Sequence, residues 1–222
     1  MKKLVIVMAL MLSVMMFGCG KQEAEVSTDE TVKGESAGSV IIETGNTVTS
    51  YLTGKQVDES IGRFRPISVM FNNVEAGCPQ TGISRADVVY EAPLASNTTR
   101  LIGIIEDWHD LEKIGSIRST RDYYVSFALE FDAIHVHFGQ ATAYVGDMLN
   151  SDLVDNISGR VAGIDRPADN AFYRTDDRKA PHNLYASAEG IMEDIQKFEY
   201  DLNYDDAYYG KFKFAKDGED LD

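Results

Sequence analysis

Four short apolar runs stand out along the middle of the chain: 67–71 (ISVMF), 86–92 (ADVVYEA), 101–105 (LIGII) and 133–138 (AIHVHF). Each is rich in Ile and Val or Ala and is bounded by Gly, Pro, Asn or charge, the mark of buried strands. Three longer stretches, 120–131 (TRDYYVSFALEF), 142–150 (TAYVGDMLN) and 187–198 (SAEGIMEDIQKF), read as helices. Each opens on Ser or Thr, and two carry an acid near the first turn. Helices interspersed with strands predict an α/β domain, a layered mixed sheet with helices packed on it, and leave strand order open. Residues 51–200 hold enough chain for one such domain with a single core and show no internal repeat.

Outside this block the pattern changes. Residues 1–18 begin with Lys2 and Lys3 and continue as an apolar or small run from Leu4 to Gly18 that stops at Cys19. A run this short barely reaches the length of a bilayer, so it predicts a secretory signal rather than a spanning helix. Gly18 before Cys19 resembles the bacterial lipobox, which makes Cys19 the expected lipidation site and mature N-terminus. Residues 19–50, as in KQEAEVSTDETVKGESAG, have few large apolar side chains and predict a flexible acidic tether. Residues 201–222 end on FKFAKDGEDLD, where an alternating pattern has just begun; they are expected to be a linker or the start of a truncated second domain.

The charge restricts the partners. The chain carries a net −15, and removal of Lys2 and Lys3 with the signal makes it −17. Such a balance argues against nucleic acid and against a polybasic grip on anionic lipid, so the acyl chains would hold the membrane alone, on the extracytoplasmic face. With Cys19 acylated, Cys78 is the one remaining thiol and no intramolecular disulfide can form.

The positive residues are segregated. All ten arginines lie between Arg63 and Arg178, an interval with one lysine, Lys113. Arginine is favoured where a planar fork must meet a carboxylate or phosphate. Arg63, Arg85, Arg160 and Arg166 are expected to pair with the domain's own acids. Arg118 and Arg121, in IGSIRSTRDYY, have a different setting. With Ser119 as N-cap and Asp122 as third helical residue, the pattern forms a variant capping box that places both cations at the positive end of a helix. A bound anion would relieve that mismatch; neutralisation by Asp122, Glu130 or another acid is the alternative. Arg174, Arg178, His182 and Asn183, in FYRTDDRKAPHNLY, predict a second wall of the same pocket, unless Asp176 and Asp177 occupy the cations. Arg100, opening RLIGIIED, completes the candidate ligand-binding set.

Other chemistry is less well supported. His135 and His137 share one face of a strand and could ligate zinc with Asp132 or His182, but a hydrogen-bonded histidine at a strand end is the preferred reading, and no metal site is assigned. Asp87 and Glu91 are candidate bases or partners of Arg100. No G-x-S-x-G, P-loop or C-x-x-C is present, and no motif names a cofactor.

Six ordered blocks, RPISVMFNN, PQTGISRADVVYEA, TRLIGIIED, KIGSIRSTRDYYV, FDAIHVHFG and FYRTDDRKAPHNLY, together resemble the YerB-like lipoproteins of Gram-positive bacteria, a domain-of-unknown-function family. The similarity covers about residues 60–190. It implies a secreted lipoprotein, usually followed by a C-terminal domain, and carries no activity with it. In that family's pattern His137 and Gly139 recur while another residue such as Tyr commonly stands at position 135, which weakens a two-histidine metal site. A shorter stretch around SIRSTRDYYV looks a little like the LytR-CpsA-Psr phosphotransferases. Two functions are therefore expected: binding of an anionic wall, lipid-linked or carboxylate ligand in an arginine pocket, or a divalent-metal-assisted phosphoryl or glycosyl-phosphate transfer using Arg100, Arg118 and Arg121 with Asp87 or Glu91.

Overall fold

A computed structural model describes residues 45–94, 97–215 and 218–219. The signal, Cys19 and the tether up to residue 44 lie outside the described residues. The elements are β1 (Thr47–Thr49), β2 (Gln56–Asp58), α1 (Glu59–Gly62), β3 (Ile67–Asn72), β4 (Val88–Pro93), β5 (Thr99–Ile105), β6 (Ile114–Gly115), α2 (Asp122–Leu129), β7 (Ile134–His137), α3 (Thr142–Leu149), β8 (Asn156–Ser158), β9 (Phe172–Arg174), β10 (Leu184–Ala186) and α4 (Ala188–Phe198). The β-branched Thr47, Val48 and Thr49 give β1 strand character inside the segment expected to be tether, and β1 pairs antiparallel with β2.

The main sheet has five strands in the order β4-β5-β3-β7-β8. The β4-β5-β3 half is antiparallel and the β3-β7-β8 half parallel, so the sheet is mixed, as the run pattern implied. All six residues of β3 are buried, because it lies mid-sheet with cover on both faces. At the edge, β4 alternates exposed and half-buried positions. A second sheet, β6-β10-β9, is antiparallel.

Strand alternation sorts the core into two layers. Ile67, Val69 and Phe71 of β3 with Ile134 and Val136 of β7 pack with Trp108 and with Ile191, Ile195 and Phe198 of α4. Met70, Ile102 and Ile104 pack with Tyr124 and Ala128 of α2 and with Phe131. Helix α4 follows its sequence signal: Ser187 is the N-cap and its side chain accepts from the Gly190 amide. Residues 201–215 lie on the body, where Tyr204 and Tyr208 meet Tyr51 edge-on and Phe212 packs on Phe131.

One cap differs from expectation. Helix α2 starts at Asp122 with an extended Arg121 as N-cap (φ −139°, ψ 167°) and no side-chain cap bond. Ser119 cannot serve as the cap because its carbonyl and hydroxyl are both taken by Arg100, and the chain stays extended through Thr120, which bridges Gln140.

His135 and His137 face away from the α4 layer and are fully buried, their rings stacked at 5.0 Å. His135 Nδ1 meets the Ser68 hydroxyl at 2.9 Å and its Nε2 meets the Thr120 hydroxyl at 2.8 Å. His137 lies against Gly139 O at 3.0 Å and Asn156 Oδ1 at 3.3 Å. Burial holds His135 well below the usual imidazole range, helped by His137, and pushes His137 down to about 4. A folded-state pKa below the unfolded one means stability present above pH 6.5 and lost as the pH falls through the folded value. Between pH 7 and 4.5 we expect wild type to lose roughly 2–3 kcal/mol more than His137→Asn, read from urea midpoints. The difference must be taken against the variant, since Asp87, Glu106 and Asp132, raised mainly by burial, act in the opposite sense. Parallel pH profiles for the two proteins would contradict it.

Candidate functional site

Strands β3 and β7 pair only from Ile67 to Val69 and from Ile134 to Val136. Beyond that point they part, and residues 116–120 fill the gap. Asn72 N donates to Ser116 O (3.0 Å), Arg118 N to Met70 O (2.9 Å), Phe138 N to Arg118 O (3.0 Å) and Thr120 N to Gly139 O (2.9 Å). The segment that carries Arg118 and Arg121 is thus clamped on both sides, at the carboxyl ends of the parallel strands where open α/β sheets form ligand crevices.

Four of the predicted arginines converge there. Arg100, at the start of β5, donates from Nη1 to Ser119 O and, at 2.9 Å, to Ser119 Oγ. Arg121 Nη1 reaches Thr120 O at 2.7 Å and the same Ser119 hydroxyl at 3.4 Å. Arg118 Nη2 lies 3.2 Å from His182 Nδ1, its Nη1 3.4 Å from Pro181 O, and its buried Nε has no partner. Arg174 donates to Asn183 Oδ1 at 2.8 Å and sits 6.0 Å over the Phe138 ring. Among the described residues none of these four has a carboxylate within 4.0 Å. Of the acids named as alternatives, Glu130 is used by Lys211 and Tyr90 and Asp177 by Lys113, Thr175 and Tyr185, while Asp122 and Asp176 form no ion pair among the described residues.

The rest of the set plays other parts. Arg178 donates to Gly77 O (2.7 Å) and Pro79 O (2.8 Å), with Asp177 at 4.0 Å, and so staples the 172–185 loop to the 77–79 turn. Asn183 holds Arg174 and donates to Thr175 O at 2.7 Å. His182 Nδ1 faces two donors, Asn72 Nδ2 at 2.8 Å and Arg118 Nη2, so that nitrogen is the acceptor and the proton sits on Nε2. Burial first, then Arg118 and Arg178, keeps this imidazole below its ordinary pKa.

The cations strain one another. Burial, then Arg121 and Arg118, lowers Arg100 to about 10, and burial with Arg174 lowers Arg118. Arg121 also stands at the positive end of α2, uncapped by any side chain.

Elsewhere the arginines divide. Arg85 pairs with Asp107 and Asp110, and Arg160 with Asp169, as expected. Arg63 and Arg166 instead use backbone carbonyls and aromatic faces: Arg63 lies 4.9 Å over Tyr51, and Arg166 lies 4.8 Å over Phe198. Asp87 immediately precedes β4 and is five positions from Ala92, the partner of Arg100, about 17 Å at ~3.3 Å per residue. It cannot serve the same reacting group. Glu91 is closer, held by Asn73 and Thr99. All four ring nitrogens of His135 and His137 are already engaged, and among the described residues no group of three or more His, Cys, Asp or Glu is arranged to hold a metal.

Arg100, Arg118, Arg121 and Arg174, with His182, form a shelf of guanidiniums around residues 116–121. Sequence reasoning missed Asn72 and Phe138, which orient His182 and support Arg174; the Asn72-Asn73 pair closing a buried strand was the available signal.

Comparison with known proteins gives three matches. The model of a family described as "Protein of unknown function (DUF3048) N-terminal domain" matches residues 52–201. The chain is 32% identical over 160 residues to "Putative lipoprotein YerB" of Bacillus subtilis (strain 168), covering 72% of this chain and 46% of that protein. It superposes on the crystal structure of YerB protein from Bacillus subtilis with a TM-score of 0.62 at 32% identity, over 70% of this chain and 51% of that one. The chain therefore spans about half the length of the relatives it matches. No helix among the described residues is long and apolar enough to cross a membrane.

Proposed function

The chain belongs to the DUF3048 N-terminal domain family, and from that premise we propose that it is a lipid-anchored module of the cell envelope whose arginine shelf binds an anion. The relative's lipoprotein name supports the anchor, with Cys19 as the acylated residue and the extracytoplasmic face as its location. One observation carries the binding reading: among the described residues Arg100, Arg118, Arg121 and Arg174 gather with no carboxylate within 4.0 Å, and burial, then Arg121 and Arg118, depresses Arg100. Forks that meet only neutral groups at that cost are available to a phosphate or carboxylate. His182 would contribute its Nε2–H, and Arg178 and Asn183 would hold the loop in place.

Binding should appear as stabilisation. At a phosphate concentration ~100 times its dissociation constant, the full chain in detergent should gain about 2.7 kcal/mol over a chloride control of equal ionic strength. Arg118→Ala and Arg100→Ala should each weaken phosphate binding by at least ~10-fold by calorimetry. Equal responses from wild type and both variants would end this reading.

A further inference from the structure

We infer that the shelf takes a short stretch of a linear anion with repeated phosphoryl groups, held at three or four points along a row; this deepens, and rests on, the anion-binding function proposed above. The contacts themselves lay out the row. Arg121 and Arg100 meet on one hydroxyl, that of Ser119. Arg118 precedes Ser119 and reaches His182. Asn183, next to His182, holds Arg174, and the Phe138 ring under Arg174 belongs to the residue whose amide bonds Arg118 O. The order Arg121, Arg100, Arg118, Arg174 is thus a row of successive contacts built on the segment before α2 and on strands β5 and β9.

A compact single anion is best served by donors converging from several sides into an enclosed hollow. Beyond the effect of burial, Arg100 feels Arg121 and Arg118, and Arg118 feels Arg174, so each fork neighbours the next along the row. An extended ligand matches that order, because a row adds one charge-assisted contact per phosphoryl group. The acidic balance of the chain as a whole disfavours a polyanion beyond the row.

The test is a length series on the full chain in detergent: orthophosphate, pyrophosphate, tripolyphosphate and a longer polyphosphate, each titrated at two salt concentrations. Affinity should climb ~10-fold per added group and level off at three or four groups, with the salt dependence steepening in step. Arg121→Ala and Arg174→Ala, at opposite ends, should each shorten the climb by one group, while Arg121→Lys and Arg174→Lys restore part of it and report on folding. An oligo(glycerol phosphate) run alongside separates the sources: binding above that of tripolyphosphate assigns diester spacing, binding below it assigns anhydride spacing, and either supports the row. Orthophosphate binding as tightly as every longer anion, or an end variant with an unchanged series, overturns the row and leaves the anion site standing. Failure of all the anions to bind wild type removes both.

Discussion

Replacing Asp194 by Ala should lower the stability of the domain by about 3–5 kcal/mol, among the largest losses expected from one side chain outside the apolar core. Asp194 is fully buried on the inner face of α4. Its Oδ1 accepts from Asp169 N (3.1 Å) and Asn170 Nδ2 (3.2 Å), and its Oδ2 from Asn170 N (3.0 Å) and Ala171 N (2.7 Å). This one carboxylate therefore holds the backbone of residues 169–171 onto the helix. Asp169 and Asn170 are exposed enough for water to replace part of the loss, whereas the Ala171 amide is buried and would be orphaned. Gly190 makes the same junction close: a Cβ there would stand 2.3 Å from Asn170 O. Asp194→Asn keeps the volume but turns one acceptor into a donor facing amides, so it should recover at most half the loss. Urea denaturation at neutral pH measures both variants. A deficit under about 1 kcal/mol for the alanine variant would show that the loop holds without the carboxylate.

Arg65→Met should cost about 2–4 kcal/mol, and the deficit should shrink on mild acidification. Arg65 lies just ahead of β3 with its side chain 9% exposed. Nε donates to Asp132 O (2.7 Å), Nη1 to Asp155 Oδ2 (2.5 Å) and Asp201 O (3.0 Å), and Nη2 stands 3.2 Å from Asp132 Oδ1. The fork ties together the chain entering β7, the chain entering β8 and the segment after α4. The two aspartates are about a third exposed, so solvent screens part of the loss and the upper end of the buried-pair range is not reached. Without the cation they repel each other. Burial already raises the Asp132 pKa, with Asp155 adding to the rise and Arg65 opposing it. Removing Arg65 raises it further in the folded state. A raised folded-state pKa brings stability that grows as the pH falls, so the gap between variant and wild type should narrow from pH 7 to 4.5. A gap that is constant across that range would mean the loss is one of packing.

Much of the architecture was legible. All four strands read from apolar runs exist, each within two residues of its predicted limits, and the three long helices form where Ser, Thr and spacing placed them. The family was legible too, because its motifs keep their order. The candidate site was half legible. Arg100, Arg118, Arg121 and Arg174 do converge, but Arg178 and Asn183 serve as staples, Ser119 receives side chains where a cap was expected, and Asp87 immediately precedes β4, five positions from the partner of Arg100. Nothing local distinguishes Arg65 from Arg63, yet one spans to acids 67 and 90 positions away and the other rests on a tyrosine ring.

From the linear order of residues alone came the elements, the faces they bury, the segregation of arginine from lysine and the acidic balance, since periodicity and composition act over neighbouring positions. Tertiary structure alone decided which charges met. Ion pairs and hydrogen bonds depend on separations of a few ångströms through space, and those are set by how β3 and β7 part to admit residues 116–120, an arrangement that no short window of sequence encodes.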